Sequence, residues 1–265
     1  MKKLLAMSLG GVAIGAALPS FAEDAEVVPS TVEFGLIMTT GNTETSSITG
    51  RADIHQDLTN FRNHFVIEGL QSKDEVDIED ADTGVTYKGE RTTAEKYFMS
   101  AQSDYKLNDE YMGLFGFASY EQDKFTGYEY QSTLAIGFSD RALNFSKGHL
   151  DYSVGPGAAF AETEDSIDAN GEFLPGEAST NPILRGSLNF LYNISETSAF
   201  TQTFASDIGV QEHQNTKSKS ETAITARIIG SLAMKAAYVV DHNTHVLAGK
   251  KHADTQTSIT LVYSF

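Results

Sequence analysis

Charged side chains at every second residue are the groups in this sequence best placed to do chemistry. Arg51, Asp53, Lys96, Asp104, Glu129, Arg185, Asp207 and Arg227 each sit in the polar phase of a stretch whose other phase is apolar or aromatic. Glu33, Glu68, Asp151, Lys235 and Asp241 sit likewise. Residues two apart on an extended chain share a face. Charges of both signs on one face have two outlets: they pair and fill an interior, or they line a water-filled passage. Acids outnumber bases in this set by eight to five, and an acidic lining raises the local cation concentration. The expected chemistry is ion pairing or ion passage, and spacing alone leaves both open.

Other reactive arrangements lack the spacing they need. Cys is 0, which removes thiol nucleophiles, thiolate metal sites and disulfides. The stretches 73–91 and 162–180 are rich in carboxylates, the ligands of calcium and magnesium. Asp80-Ala81-Asp82-Thr83-Gly84 opens like a calcium loop, but the twelfth position from Asp80 is Arg91 where that loop needs a glutamate. Solvated acidic loops are the expectation, with at most loose divalent bridging to lipopolysaccharide. His242, His245 and His252 cluster near the last long connection without a Cys or acid at diagnostic spacing. A hydrolase acting on lipid or peptide is the alternative reading. It would need a His with a Ser, or paired carboxylates, in one cleft at the outer rim. His55 and His64 flank the short turn near Asn60, and His149 also adjoins a short connection, so all three belong at the opposite end. No catalytic residue, resident metal or cofactor is expected.

Strands must carry these charges. Leu184, Gly186, Leu188, Phe190 and Tyr192 oppose Arg185, Ser187 and Asn189; Ile259, Leu261, Tyr263 and Phe265 oppose Ser258, Thr260, Val262 and Ser264. The period is two, as in a strand with one apolar face. A soluble sandwich alternates in the same way. Three features favour a transmembrane barrel: segments near ten residues, aromatics toward segment ends (Tyr97, Tyr105, Tyr120, Tyr152), and connections alternating between short and long. Strands are expected at 31–40, 45–57, 62–72, 94–107, 110–122, 128–139, 148–161, 182–193, 198–211, 221–229, 232–242 and 254–265, with ten or fourteen as alternatives to twelve. An even count returns both ends to the periplasmic side. The expected fold is all-β: one antiparallel transmembrane barrel with long polar outer loops and short periplasmic turns. Stretches 73–91, 162–180 and 212–220 are expected to be outer loops.

The start of the chain is read as an export address. Met1-Lys2-Lys3 is basic, Leu4 to Leu18 is apolar and uncharged, Pro19 breaks the run, and Ser20-Phe21-Ala22 offers small residues to a signal peptidase. Residues 1–22 are thus expected to be a cleaved signal peptide and 23–265 the barrel domain. The run is shorter than the roughly 20 residues a spanning helix needs. A formal net charge of −17 without a basic stripe argues against nucleic acid as a partner. Hydrophobic residues at 40% are too many for a disordered acidic chain.

Thr39-Thr40-Gly41-Asn42-Thr43-Glu44 reads as a tight hairpin tip. The chain closes on Gly249-Lys250-Lys251, then Asp254-Thr255 with Thr257-Ser258, then Leu261-Val262-Tyr263-Ser264-Phe265. In this order the motifs resemble the bacterial family of salt-induced outer-membrane proteins, a domain-of-unknown-function family, over essentially the whole chain after the leader. The resemblance implies an outer-membrane barrel without an established activity, a link to salt stress, and no catalytic residues. Ile259, Leu261, Tyr263 and Phe265 also look like the terminal signal that the barrel-insertion machinery reads. Outer-membrane lipid and lipopolysaccharide are the other expected partners. The functional expectation is a passive small-solute or ion channel, or a structural barrel, responsive to osmolarity.

Overall fold

A computed structural model describes residues 29–39, 45–79, 86–108, 111–124, 126–167, 173–211, 214–246 and 251–265. The leader 1–22, the Gly41-Asn42 tip and the Asp80–Gly84 stretch lie outside the described residues. The strands are β1 (Thr31–Thr39), β2 (Thr45–Asp57), β3 (Phe61–Glu79), β4 (Thr86–Lys106), β5 (Gly113–Asp123), β6 (Tyr128–Phe145) and β7 (Gly148–Thr163). They continue with β8 (Ser166–Ile167), β9 (Phe173–Leu174), β10 (Ala178–Asn193), β11 (Ser198–Gly209), β12 (Lys217–Ile229), β13 (Leu232–Asn243) and β14 (Ala253–Ser264). Twelve close an antiparallel barrel in the order β1-β14-β13-β12-β11-β10-β7-β6-β5-β4-β3-β2, and β8 with β9 forms a separate two-stranded sheet.

The alternating pattern explains the wall. Ile136 and Ile259 are 68% and 63% exposed on the outside, together with Phe34, Leu134, Leu184, Leu188, Phe204 and Leu261. Their in-between neighbours Thr133, Ser139, Ser153, Asp207 and Thr260 are buried inside. An apolar exterior around a closed hydrogen-bonded ladder is what hydrocarbon demands, because no water is there to satisfy a backbone group. Connections at 58–60, 107–112, 146–147, 194–197 and 230–231 share one end with the start of β1 and the end of β14, and the other connections between successive barrel strands share the opposite end. By the rule for bacterial barrels the first end is periplasmic. Aromatic pairs gather there: Phe61 with Tyr105 at 5.5 Å, Phe190 with Phe200 at 6.2 Å and Tyr263 with Phe265 at 6.5 Å between ring centroids. Tyr120 and Tyr130 stack at 6.0 Å nearer the outer end.

Several expectations about strand ends are corrected, among them β6, which runs past the expected 139 to Phe145, and β10, which begins at Ala178 before the expected 182. The stretch 73–91 is not a loop but the continuation of β3 and β4 as a hairpin, paired from Lys73↔Thr92 to Glu79↔Thr86 beyond a register shift at Ser72/Lys73. Asp74 stands opposite Arg91 in this register, and Lys73 pairs with Glu90 at 3.5 Å. Strand pairing needs only backbone groups, and five charges in the seven residues Lys73–Glu79 hide the short alternation at Val76 and Ile78. β12 likewise begins at Lys217, before the expected 221, and the stretch 162–180 contains the small β8–β9 hairpin.

The barrel closes on a short seam. β1 pairs with β14 only from Thr31↔Ser264 to Phe34↔Leu261, whereas β1 pairs with β2 along its whole length, to Thr39↔Thr45. The Phe265 backbone N–H extends the seam by donating to the Ser30 carbonyl at 2.9 Å. At the β12–β13 turn Gly230 adopts a φ of 54°, the left-handed region that a side chain disfavours. Deleting Phe265 is expected to lower the fraction of chain in the folded, heat-modifiable form. Semi-native gel shift after refolding checks this, and Glu90→Gln on the outer hairpin is expected to leave that fraction unchanged.

Candidate functional site: a charge-filled lumen

Barrel geometry brings the inward charges together in pairs that no single strand predicts. Arg51 on β2 reaches Asp53 at 3.0 Å, Glu68 on β3 at 3.4 Å and Glu221 on β12 at 3.1 Å. Lys235 on β13 joins Glu221 at 2.7 Å to Glu33 on β1 at 3.0 Å. Lys96 on β4 reaches Asp241 on β13 at 2.9 Å and Glu121 on β5 at 3.4 Å. Glu121 also accepts from Lys217 on β12, which donates to Gln131 at 2.8 Å. Barrel order puts β1, β14 and β13 between β2 and β12, and a longer run still between β4 and β13. These pairs therefore cross the lumen and do not merely run along its wall.

A second group fills the side lined by β5, β6, β10 and β11. Arg185 pairs with Asp207 at 2.6 Å, and the Thr133 hydroxyl donates to Asp207 at 2.9 Å. The Arg185 guanidinium lies 3.5 Å from the centre of the Phe117 ring. Phe115 and Phe117 are buried and form an apolar cluster with Ala135. Gly137 makes that possible, since a Cβ there would stand 2.8 Å from Phe115 Cε1 and 2.2 Å from the Val154 carbonyl oxygen. Nearer the periplasmic end Arg141 chelates Asp151 through Nε at 2.6 Å and Nη2 at 3.1 Å. Its guanidinium stacks on Tyr111, 3.6 Å from the ring centre. Buried Asp104 accepts from Ser139 and, at 3.0 Å, from Gln102.

Toward the outer end the lumen opens into a cavity of about 400 Å³. Arg185, Lys217 and Lys219 face it together with Glu121, Asp207 and Glu177, with Gln214, Asn215 and His245 at its rim. On the periplasmic side of the charge network Asp53 meets two histidines, His55 at 2.9 Å and His64 at 2.7 Å.

Of the residues singled out from sequence, Arg51, Asp53, Lys96, Asp104, Arg185 and Asp207 face the interior and have partners there. Two do not join the network. Glu129 is exposed at a register shift between Tyr128 and Tyr130. That bulge turns Tyr128 into the cavity in its place. Arg227 is exposed at the periplasmic end of β12, beside the Arg227/Ile229 irregularity. Ile259, Leu261, Tyr263 and Phe265 all stand exposed on the outer face. Sequence reasoning missed Glu121, Glu221, Lys217, Lys219 and Arg141. The run Lys217, Lys219, Glu221, Ala223 is itself period two, in phase with Arg227, and would have extended β12 had it been followed outward. His242 and His252 stack at 6.4 Å, while His252 Nδ1 lies 2.9 Å from the Asn243 carbonyl oxygen. His213 lies outside the described residues.

A closed antiparallel barrel with an apolar exterior and a charged interior is the construction of a bacterial outer-membrane β-barrel protein. Within that class the chain belongs to the family described as protein of unknown function, DUF481, whose model matches residues 32–265. It is similar to the uncharacterized protein YdiY of Escherichia coli (strain K12), being 25% identical over 231 residues that cover 87% of this chain and 80% of that protein. Among solved structures it resembles the translocator domain of the autotransporter NalP from Neisseria meningitidis, with 11% identity, 89% of this chain and 87% of that chain covered, and a TM-score of 0.48. It also resembles the NanC porin, with 12% identity, 89% and 98% coverage and a TM-score of 0.45. Both are likenesses of architecture.

The network sets a stability expectation. Glu221 serves Arg51 and Lys235 at once. Glu221→Gln keeps the volume but weakens both bonds, and a loss of about 1.5–3 kcal/mol is expected, the range for hydrogen bonds to charged groups. Glu129→Gln, at an exposed position, is expected to stay within about 0.5 kcal/mol. Urea unfolding midpoints followed by circular dichroism in detergent measure both.

Proposed function

We propose that this protein is a passive outer-membrane barrel whose lumen is held shut by cross-lumen ion pairs and which passes small ions only when those pairs loosen. One observation carries the reading: Arg51–Glu221, Lys96–Asp241 and Lys217–Glu121 each join walls that are not neighbours in the barrel. Twelve strands lie between an eight-stranded barrel filled by side chains and a sixteen-stranded porin with an aqueous channel. Side chains therefore decide whether the lumen is open. The outer cavity of about 400 Å³ becomes a vestibule above the closure.

A response to salt follows from the same pairs. Ionic screening lengths fall from about 10 Å at 0.1 M to about 3 Å at 1 M, so pairs reached by water weaken as salt rises while fully buried ones change little. When the bases swing aside, the acids left in the lumen favour cations. Outer-membrane lipid surrounds the apolar band and lipopolysaccharide meets the outer rim in this reading. The Ile259–Phe265 face serves the insertion machinery, and the reaction chemistry of an enzyme has no part.

Planar-bilayer recording of the refolded protein tests the proposal. The unaltered protein is expected to be silent in dilute KCl and to show brief cation-selective steps in concentrated KCl. Lys96→Ala is expected to make steps frequent at both salts, because it removes the link between β4 and β13 and leaves Asp241 facing the passage. Steady, porin-sized steps from the unaltered protein in dilute KCl would overturn it.

A further inference from the structure

We propose that Asp53, His55 and His64 form a binding site for one borderline divalent transition-metal ion, of the zinc, cobalt, nickel or copper type, inside the periplasmic mouth of the barrel. The site is built by strand geometry. Asp53 and His55 lie two residues apart on β2 and so share the inward face. His64 lies directly opposite His55 in the β2–β3 register. Both imidazoles bring Nε2 to the same carboxylate oxygen, Asp53 Oδ1, at 2.9 Å from His55 and 2.7 Å from His64. The rings stack with centroids 4.3 Å apart and planes 10° from parallel, so both nitrogens point the same way. All three donor atoms lie within 4.8 Å of one another, and this is the one such three-residue group of His, Asp and Glu found among the described residues.

The donor set fits the metal class. Two imidazoles and a carboxylate bind zinc, and imidazole also suits copper and nickel. Metal–ligand bonds of about 2.0–2.2 Å place tetrahedral ligand atoms on the order of 3.3 Å apart. An opening of about half an ångström between Asp53 and each histidine would therefore admit an ion. The surroundings hold the ligands ready. The Arg51 guanidinium takes the other carboxylate oxygen, Oδ2, at 3.0 Å, leaving Oδ1 to the histidines. Its positive charge is already compensated by Glu68 and Glu221. Outer partners of this kind orient a ligating carboxylate. Ser30 brackets His55 by accepting from its backbone N–H at 3.1 Å and donating to its carbonyl at 3.3 Å. The His55 and His64 side chains remain 31% and 37% exposed, which gives an ion a route in from the periplasm and leaves coordination positions for water.

The test uses the refolded full barrel without a histidine tag. Titration with Co²⁺, followed by its visible absorption, and with Zn²⁺ in a calorimeter is expected to give one ion per chain. Asp53→Asn, His55→Ala and His64→Ala are each expected to weaken binding by more than about tenfold, the lower end of what even outer-shell changes cost a metal site. His242→Ala is expected to leave it unchanged. Heat-modifiability on gels confirms that each variant is folded. Copper bound to the unaltered protein supplies a readout that needs no variant, its electron paramagnetic resonance spectrum being expected to show two ligating nitrogens. Failure of the unaltered barrel to bind, a different nitrogen count, or one-to-one binding that survives His64→Ala in a folded variant would each overturn the site.

Discussion

Everything in this molecule depends on closing a hydrogen-bonded ladder where no water can substitute for a missing partner. A backbone group left unpaired in hydrocarbon costs several kcal/mol, roughly, so a sheet that crosses a membrane has to return to its own first strand. Here that return is brief. β1 meets β14 over Thr31–Phe34 and Leu261–Ser264, while β3 and β4 pair from Phe61↔Tyr105 out to Glu79↔Thr86. The seam concentrates the closure on a few residues at the periplasmic end, where the Phe265 N–H and the Ser30 carbonyl finish it.

Closure creates an interior, and an interior this size must be wet or filled. The chain lines it with charges of both signs that pair with one another, and leaves a cavity toward the outer end. Removing one partner from a buried pair is costly because it strands the other charge. The lumen therefore behaves as a linked set in which Glu221 and Glu121 each serve two bases. Aromatic groups complete the packing at Phe117 under Arg185 and at Phe98, 5.0 Å from the Lys219 ammonium. Above this level β3 and β4 continue as a hairpin paired to Glu79↔Thr86.

Much of the wall was legible in the sequence. Alternation is local: a residue's phase on a strand fixes whether it points in or out, so Leu184, Leu188, Ile259 and Leu261 could be assigned to the exterior and Arg51, Asp53 and Lys96 to the interior from spacing alone. Twelve barrel strands and the placement of the short turns followed from the same pattern. The pattern failed where dense charge masked it, along Lys73–Glu79, where both phases are polar, at Lys217–Ser220, and where a bulge reversed it, at Glu129.

Which charges meet was decided by tertiary structure. Arg51 and Glu221 are 170 residues apart in sequence, and Lys96 and Asp241 are 145 apart. Their encounter across the lumen depends on the diameter and stagger of the whole barrel, which are collective properties of all its strands. The stacked His55 and His64 lie between these extremes. Their phase was visible, but their convergence on one oxygen of Asp53 required the β2–β3 register, set by pairing along the full length of both strands. Away from the bulges the sequence by itself determined which way a side chain faces, because that is a property of two neighbouring peptide units. The fold alone determined which side chains touch, because contact across a closed barrel is fixed only when the last strand has found the first.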